Sequence, residues 1–301
     1  MSAPRPSQFG ATKLKITTAP DGKFTMSSEE VAQEVKRYYA LIREAPPSRL
    51  TEREADLGLL AACQPFRCGP DGGIAGWRIG EGPVVAMVHG WGGQGVQFVR
   101  MAHHLAKRGF AATFIDVRNH GASAPGHLGF DRFMKDAAEL QACLGAPPFA
   151  WVGHSAGALG VMAARRILNL DASAFVCLAT PFHPYVPLDK VRAVGAGPGV
   201  IEGLKALLAQ EFSESWNDLE HGAVWSPQGR ARLMAVYDET DATISTHDAW
   251  KVARKWQGAR VMLTSGFGHN RILGAEMIIE SVSDFLAGCR ADHAAMEGIA
   301  A

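Results

Sequence analysis

Short apolar runs alternate with amphipathic stretches over most of the chain after about residue 77. The apolar runs have the length of strands and are typical of parallel strands that are buried on both faces. They are GWRIG, PVVAMVH, FAATFID, FAWVG, AFVCLAT, RLMAVYD and ARVMLTS. The first two, separated by the turn GEGP, are predicted to be neighbouring strands.

The stretches between these runs repeat their apolar residues with the spacing of a helix. Helices are predicted in FVRMAHHLAKRG and at Phe130–Leu144, Ala156–Leu168, Asp248–Trp256 and Glu276–Leu286. Strands that alternate with helices in this way predict an α/β protein. Its sheet is expected to be mostly parallel and doubly wound, with helices on both faces.

The first segment that departs from this alternation is the N-terminal one. It begins with a polar, proline-containing arm. Ser27 with Glu30 predicts a capped helix, and Thr51 with Glu54 predicts a second. Both helices are expected to pack on the sheet-forming part of the chain.

The second departure lies between two predicted strands, at residues 181–230. Proline, glycine and tryptophan are scattered through it, with one predicted amphipathic helix in GVIEGLKALLAQEF. We predict a cap over the carboxyl ends of the strands, where such sheets bind ligands. The expected organisation is an N-terminal arm with helices at 1–63, a core at 64–180 and 231–290, and the cap.

The loop VHGWGGQG raises the first question of chemistry. Gly90, Gly92 and Gly95 fit the G-x-G-x-x-G fingerprint of a dinucleotide-binding turn. Asp116 ends the next predicted strand at about the spacing of a ribose-binding acid. An NAD(P)- or FAD-binding oxidoreductase is therefore one hypothesis. His89 counts against it, because it would push a bulky ring toward a crowded strand–helix turn.

The sequence GHSAG, at 153–157, supplies a second candidate site. An apolar strand precedes it and a helix follows it, which is the context of a nucleophile elbow. Gly153 and Gly157 suit a tight turn in which the backbone of Ser155 is strained. A helix start rich in glycine and alanine gives the same letters by chance, so Ser155 needs partners elsewhere in the chain.

Those partners are predicted just past two later strands. A serine hydroxyl needs a base, and the base needs an acid that orients it. In hydrolases of this kind the order along the chain is serine, acid, histidine. Asp238 and Asp241 follow the first of these strands, and His269 follows the second. Asp241 is preferred as the acid because Ile244 could anchor its loop, and Asp238 is the alternative.

These motifs together resemble the α/β-hydrolase family, with matches from about Trp77 to Leu286. HGWGG resembles the oxyanion loop and GHSAG the nucleophile elbow. DVRNHGAS resembles the strand-end loop between them, DETDATI the acid loop and GFGHNRIL the histidine loop. The dinucleotide hypothesis leaves the last three motifs in the chain unexplained, whereas the hydrolase hypothesis accounts for all five.

The resemblance implies a serine hydrolase that is carboxylesterase-like. The backbone N–H groups of Trp91 and Ala156 would form its oxyanion hole, and Asp116 would be a structural acid. The loop glycines would keep the chain thin beside the substrate; they are Gly90, Gly92 and Gly93. The expected substrate is a small-molecule ester with a short or medium acyl chain, while thioesters, amides and carbon–carbon bonds stay open.

Aromatic residues in the predicted cap have two interpretations of equal weight. They could line an apolar acyl pocket, or they could form a small satellite core. The residues concerned are Phe182, Tyr185, Trp216 and Trp225.

Composition narrows the class further. The 30 Lys and Arg balance the 30 Asp and Glu, so nothing indicates nucleic-acid binding. Neither a signal peptide nor a membrane span is expected. Five scattered cysteines favour reduced thiols in a cytoplasmic protein. No cofactor or metal is predicted.

A non-catalytic interaction module is a further alternative, since the N-terminal helices could dock a partner or a second subunit as a homodimer.

Overall fold

The computed structural model describes residues 26–44, 54–227 and 229–299, and within them the chain forms one eight-stranded sheet. The spatial order of its strands is β1-β2-β4-β3-β5-β6-β7-β8. β1 and β2 are antiparallel to their neighbours, and all other pairs are parallel. The strands are β1 (Gln64–Cys68), β2 (Ile74–Ile79), β3 (Val84–Val88), β4 (Ala111–Ile115), β5 (Ala150–His154), β6 (Ala174–Leu178), β7 (Arg232–Asp238) and β8 (Arg260–Thr264).

Helices cover both faces of this sheet and the ends of its strands. They are α1 (Ser28–Ile42), α2 (Glu54–Ala61), α3 (Val99–Lys107), α4 (Phe130–Leu144), α5 (Ser155–Ile167), α6 (Val186–Ala193), α7 (Pro198–Glu211), α8 (Trp216–Glu220), α9 (His247–Lys255), α10 (Gly268–Arg271) and α11 (Glu276–Ile299). The doubly wound α/β prediction is confirmed. No helix within the described ranges has both the length and the apolar character needed to cross a bilayer.

Strand β3 shows why its apolar run is continuous rather than alternating. Val85 and Met87 are buried in the core on one face of the sheet, whereas Ala86 and Val88 are buried in the core on the other. Because side chains alternate between faces, a strand covered by helices on both sides needs apolar residues at every position.

The strand prediction was wrong in one respect of order. β2 and β3 follow each other in sequence but do not pair, because β4 lies between them. β4 pairs in parallel with β3 and antiparallel with β2, where Gly76 faces Ile115. β1 was not predicted, because its short run QPFRC carries no clear alternation of apolar and polar residues.

The helix predictions were largely confirmed, with differences at the ends of the elements. α4 has the predicted bounds, and α11 continues beyond Leu286 to Ile299. Residues 181–230 contain three α-helices in their described part rather than the single one predicted. The Ser27–Glu30 capping box is present at α1. Thr51 lies outside the described residues, and the division into arm, core and cap stays a prediction.

Candidate active site

Ser155 stands at a sharp turn between β5 and α5. Its backbone φ is +50°, a left-handed conformation that is strained for any residue with a side chain. The flanking glycines allow the chain to pass closely. A Cβ atom on Gly157 would collide with the carbonyl of His89, and one on Gly153 would collide with the backbone of Ala158. The local geometry is therefore that of the predicted nucleophile elbow.

The HGWGG loop begins beside this turn, because Val88 and Gly153 face each other in neighbouring strands. A Cβ atom on Gly90 would come within 2.9 Å of the Ser155 Cβ. The Gly93 N–H donates to the Gly90 carbonyl at 2.9 Å, which closes a tight turn around Trp91. The absence of side chains at the loop glycines thus lets the backbone lie directly against the serine.

Two buried imidazoles hold this loop through hydrogen bonds that fix their tautomers. His120 Nε2 accepts the Gly92 N–H at 3.0 Å, and its Nδ1 faces the Arg118 carbonyl. His89 Nε2 accepts the Val117 N–H at 2.9 Å, so its Nδ1 donates to the Gly90 carbonyl. Burial lowers the pKa of both rings, and both therefore remain neutral acceptors for backbone N–H groups.

Asp116 also belongs to the support of this loop. One carboxylate oxygen accepts the Gly95 N–H at 2.6 Å, and the other accepts the Ala122 N–H at 2.7 Å. The structural role that the resemblance implied for Asp116 is confirmed. The dinucleotide hypothesis is not favoured, because its ribose-binding acid is already occupied within the loop.

The predicted acid and base lie together at the ends of β7 and β8. His269 Nδ1 lies 2.8 Å from Asp241 Oδ2, and the Asp241 side chain is 1% exposed against 20% for His269. The other oxygen of Asp241 accepts the N–H groups of Thr243 and Ile244. Ile244 is itself buried, as the preference for Asp241 required.

The charge on Asp241 is favoured although the carboxylate is buried. Burial alone would raise its pKa, but the hydrogen bond and charge of His269, together with the two backbone N–H groups, lower the pKa overall. An ionised Asp241 fixes the ring orientation and keeps a proton on Nδ1. His269 Nε2 is then the nitrogen left to act as a base.

Asp238, the alternative acid, contacts the histidine loop instead of the histidine ring. It accepts hydrogen bonds from the Thr240 and Thr264 side chains and from the N–H groups of Thr240, Phe267 and Gly268. Burial would raise its pKa, but these donors hold the pKa well below its ordinary range. Asp238 therefore ties the acid loop to the loop that carries His269.

Ser155 and His269 line one cleft, whose volume is about 250 Å³. Trp91 and Ala156, the predicted oxyanion residues, line the same cleft. Its other lining residues come from α1, α4, the segment after β6 and the loops around the acid and base. They are Leu41, Ile42, Glu44, Phe130, Pro181, Val186, Pro187, Lys190, Val191, Thr243 and Asn270. The participation of α1 was not predicted.

The four aromatic residues of the predicted cap do not line the cleft. Phe182 and Trp225 are buried and stack with ring centroids 6.2 Å apart, while Trp216 packs against His183. The Tyr185 hydroxyl donates to Asp248. Neither interpretation is fully confirmed, because Phe182 and Trp225 belong to the main hydrophobic core on one face of the sheet and Trp216 packs against it.

Among the residues that the structure describes, no group of three or more His, Cys, Asp or Glu side chains is arranged to hold a metal ion. All five cysteines are free, and all except Cys143 are buried.

Comparison with known proteins supports the fold. Residues 83–197 match the family model for the alpha/beta hydrolase fold. Over 82 residues the chain is 43% identical to a pimeloyl-[acyl-carrier protein] methyl ester esterase from Chromobacterium violaceum. That match covers 27% of this chain and 30% of the esterase, so it spans less than a third of the relative.

Solved structures extend the likeness to most of the chain. A thermophilic esterase from Thermogutta terrifontis has a TM-score of 0.56 at 16% identity, covering 75% of this chain and 98% of the other. An epoxide hydrolase from Vigna radiata has a TM-score of 0.59 at 18% identity, covering 76% and 99%. At such identities the likeness is one of fold alone. Together with the match to the family model, this likeness shows that the chain has the α/β-hydrolase fold.

Proposed function

We propose that this protein hydrolyses carboxylic esters through an acyl-enzyme intermediate on Ser155, with His269 as the base and Asp241 as its orienting acid. The observation that carries the proposal is the hydrogen bond between the buried Asp241 carboxylate and His269, whose imidazole shares a cleft with a serine on a strained turn. A surface serine in an ordinary helix would need neither this backbone conformation nor such a pair.

The proposed mechanism uses two proton transfers by one ring. His269 Nε2 takes the proton of Ser155 as its Oγ attacks the acyl carbon, and then gives it to the departing alkoxide. Water repeats the attack on the acyl-serine with the same base. Asp241 stabilises the imidazolium formed in each step.

The developing oxyanion requires donors that are already in position. We assign this role to the backbone N–H groups of Trp91 and Ala156, which flank Ser155 along the cleft. The hydrogen bond from Gly92 to His120 and the turn from Gly93 to Gly90 support this assignment, since they fix the backbone on either side of Trp91. A preorganised donor of this kind is typically worth about 3 kcal/mol in the transition state.

The cleft favours an apolar acyl group of modest size. Its volume of about 250 Å³ lies just below the usual range of ligand pockets. Most of its non-catalytic lining is aliphatic or aromatic, and α6 is the helix of residues 181–230 that contributes to it. The relative from Chromobacterium violaceum is by name a methyl ester esterase. Esters therefore come before thioesters and amides as candidate substrates, while a cytoplasmic location and a homodimer stay predictions.

Substitution of the proposed nucleophile tests the proposal directly. Ser155→Ala should reduce the turnover of p-nitrophenyl butyrate by at least about 10³-fold, because a covalent route is lost. A fluorophosphonate probe should label the wild type at Ser155 and leave the variant unlabelled. Equal unfolding temperatures would exclude misfolding as the cause. Undiminished turnover by Ser155→Ala, or a folded wild type that refuses the probe, would favour the non-catalytic module.

A further inference from the structure

The C-terminal end of α1 reaches the cleft from a part of the chain that lies before the family match. Leu41 and Ile42 line the cleft together with Ser155 and His269. The match to the alpha/beta hydrolase fold begins at residue 83. Two aliphatic side chains therefore enter the site from a helix that the matched segment does not include.

The middle of α1 is held against α7 by a close contact between the two helices. A Cβ atom on Gly203 would collide with Val35, whose branched side chain has little freedom to move away. One turn earlier on α7, a Cβ atom on Gly199 would lie 3.5 Å from Val31, which is an ordinary contact. The glycine at position 203 thus permits an approach that no other residue would allow.

Polar contacts then fix the position of the end of α1. The Tyr39 hydroxyl donates to Glu211 on α7 at 2.6 Å, and the other Glu211 oxygen accepts the N–H of Phe130. The Arg43 side chain donates to the Leu128 carbonyl at 3.0 Å and to the Tyr39 hydroxyl. Phe130 itself lines the cleft and lies edge-on to Trp91. The last turn of α1 is therefore joined to the wall of the site on two sides.

We propose that the last turn of α1 forms a wall of the acyl pocket, and that Leu41 and Ile42 determine the longest acyl chain that the pocket accepts. This inference rests on the proposed ester hydrolysis. In an apolar pocket, each methylene added to the acyl chain should raise kcat/KM by about fourfold until the chain reaches this wall. Longer chains then lose this gain, because they must bend or remain in water.

Truncation of the wall is the first test. Leu41→Ala should raise the ratio of kcat/KM for p-nitrophenyl decanoate to that for p-nitrophenyl butyrate by at least about tenfold, since the removed atoms make room for further methylenes. The gain should appear in KM for the decanoate rather than in kcat. Leu41 is only half-buried, so the variant should fold.

Displacement of α1 without any change to the lining is the second test. Gly203→Ala should raise the same ratio, because the new methyl group pushes Val35 and its helix away. Val35→Ala combined with Gly203→Ala should bring the ratio back toward that of the wild type. Gly199→Ala, on the same helix and with room for the methyl group, is the matched control and should leave the ratio unchanged.

The outcomes separate this inference from the function on which it rests. Ester turnover with the same chain-length profile in wild type, Leu41→Ala and Gly203→Ala would overturn the role of α1 and leave the hydrolase intact. If Gly203→Ala does not fold, the profile of Leu41→Ala decides alone. A wild type without ester turnover and without labelling by alkyl fluorophosphonates would overturn both proposals.

Discussion

The strand-end loops and the wall that α1 contributes meet in one cleft but are held in place by different forces. The loops that carry Trp91 and His269 depend on hydrogen bonds from backbone N–H groups to buried acceptors, Asp116, His120 and Asp238. The wall depends on helix packing and a few polar anchors at its edge. Fixed donors suit catalysis, which needs atoms placed to a fraction of an ångström. Packed aliphatic side chains suit selection by size, which tolerates gradual change.

The largest effect should come from the two neighbouring carboxylates of the loops. Asp241→Asn should lower kcat by about 10⁴-fold while the unfolding temperature changes little, because the base then loses its orienting charge. Asp238→Asn should do the reverse. It should lower the free energy of unfolding by about 2 kcal/mol, since it weakens hydrogen bonds from five donors, and should reduce kcat far less.

The two variants are compared by the same measurements, which are the turnover of p-nitrophenyl butyrate and the free energy of unfolding in urea. The two variants serve as each other's control, because they differ by three positions and remove the same charge. If Asp238→Asn lost activity to the same degree as Asp241→Asn with stability unchanged, the assignment of the acid would have to be exchanged.

The next effect concerns pH and the buried histidine within GHSAG. His154 Nε2 donates to the His269 carbonyl at 2.8 Å, and burial together with the nearby His269 lowers the pKa of His154 to about 3. Below about pH 6.5 the unfolded chain binds a proton on His154, whereas in the folded chain this ring stays neutral until the pH approaches 3. Stability should therefore fall as the pH drops from about 6.5 toward 3, by up to about 1.4 kcal/mol per pH unit from this residue.

A matched variant isolates His154 from the other groups that titrate in this range. Burial raises the pKa of Asp116, Asp136 and Glu211, which works in the opposite direction. The quantity to measure is thus the difference in urea unfolding free energy between wild type and His154→Gln. As the pH falls from 7 to 4.5, the wild type should lose stability relative to His154→Gln. A difference that does not change with pH would contradict the prediction.

The comparison of loops and wall also explains what the sequence could predict. Ser155 and His269 lie in short motifs whose glycines are required by local backbone geometry, so the sequence of a single chain suffices to propose them as catalytic residues. Asp241 could be preferred over Asp238 because Ile244 suggested a buried anchor nearby. The supporting role of His120 was missed, although its place in DVRNHGAS beside Asp116 was a usable signal.

The wall could not be predicted because it depends on contacts between distant segments. Leu41 and Ile42 look like any apolar face of a short helix, and nothing local indicates that α1 ends at the cleft. The order of β2 and β4 in the sheet was missed for the same reason, since pairing is decided by the crossover and not by adjacency in sequence. The periodicity of apolar residues predicts where helices and strands occur, whereas the order in which they pack depends on the whole fold.

The smallest effect on chain-length preference should come from a substitution among the aromatic residues of residues 181–230, which were the alternative candidates for the acyl pocket. The Trp225 indole N–H donates to the Phe182 carbonyl at 2.7 Å, in a position that is fully buried. Trp225→Phe keeps an aromatic ring but leaves that carbonyl without its donor, which should cost about 1–2 kcal/mol of unfolding free energy. Because neither residue lines the cleft, the ratio of decanoate to butyrate kcat/KM should stay within twofold of wild type, roughly the size of a weak indirect effect. Trp225→Phe could instead change this ratio as much as Leu41→Ala does, while unfolding at the wild-type temperature. That result would show that the aromatic residues act in the acyl pocket, and the contrast between packing for stability and packing for selection would no longer hold.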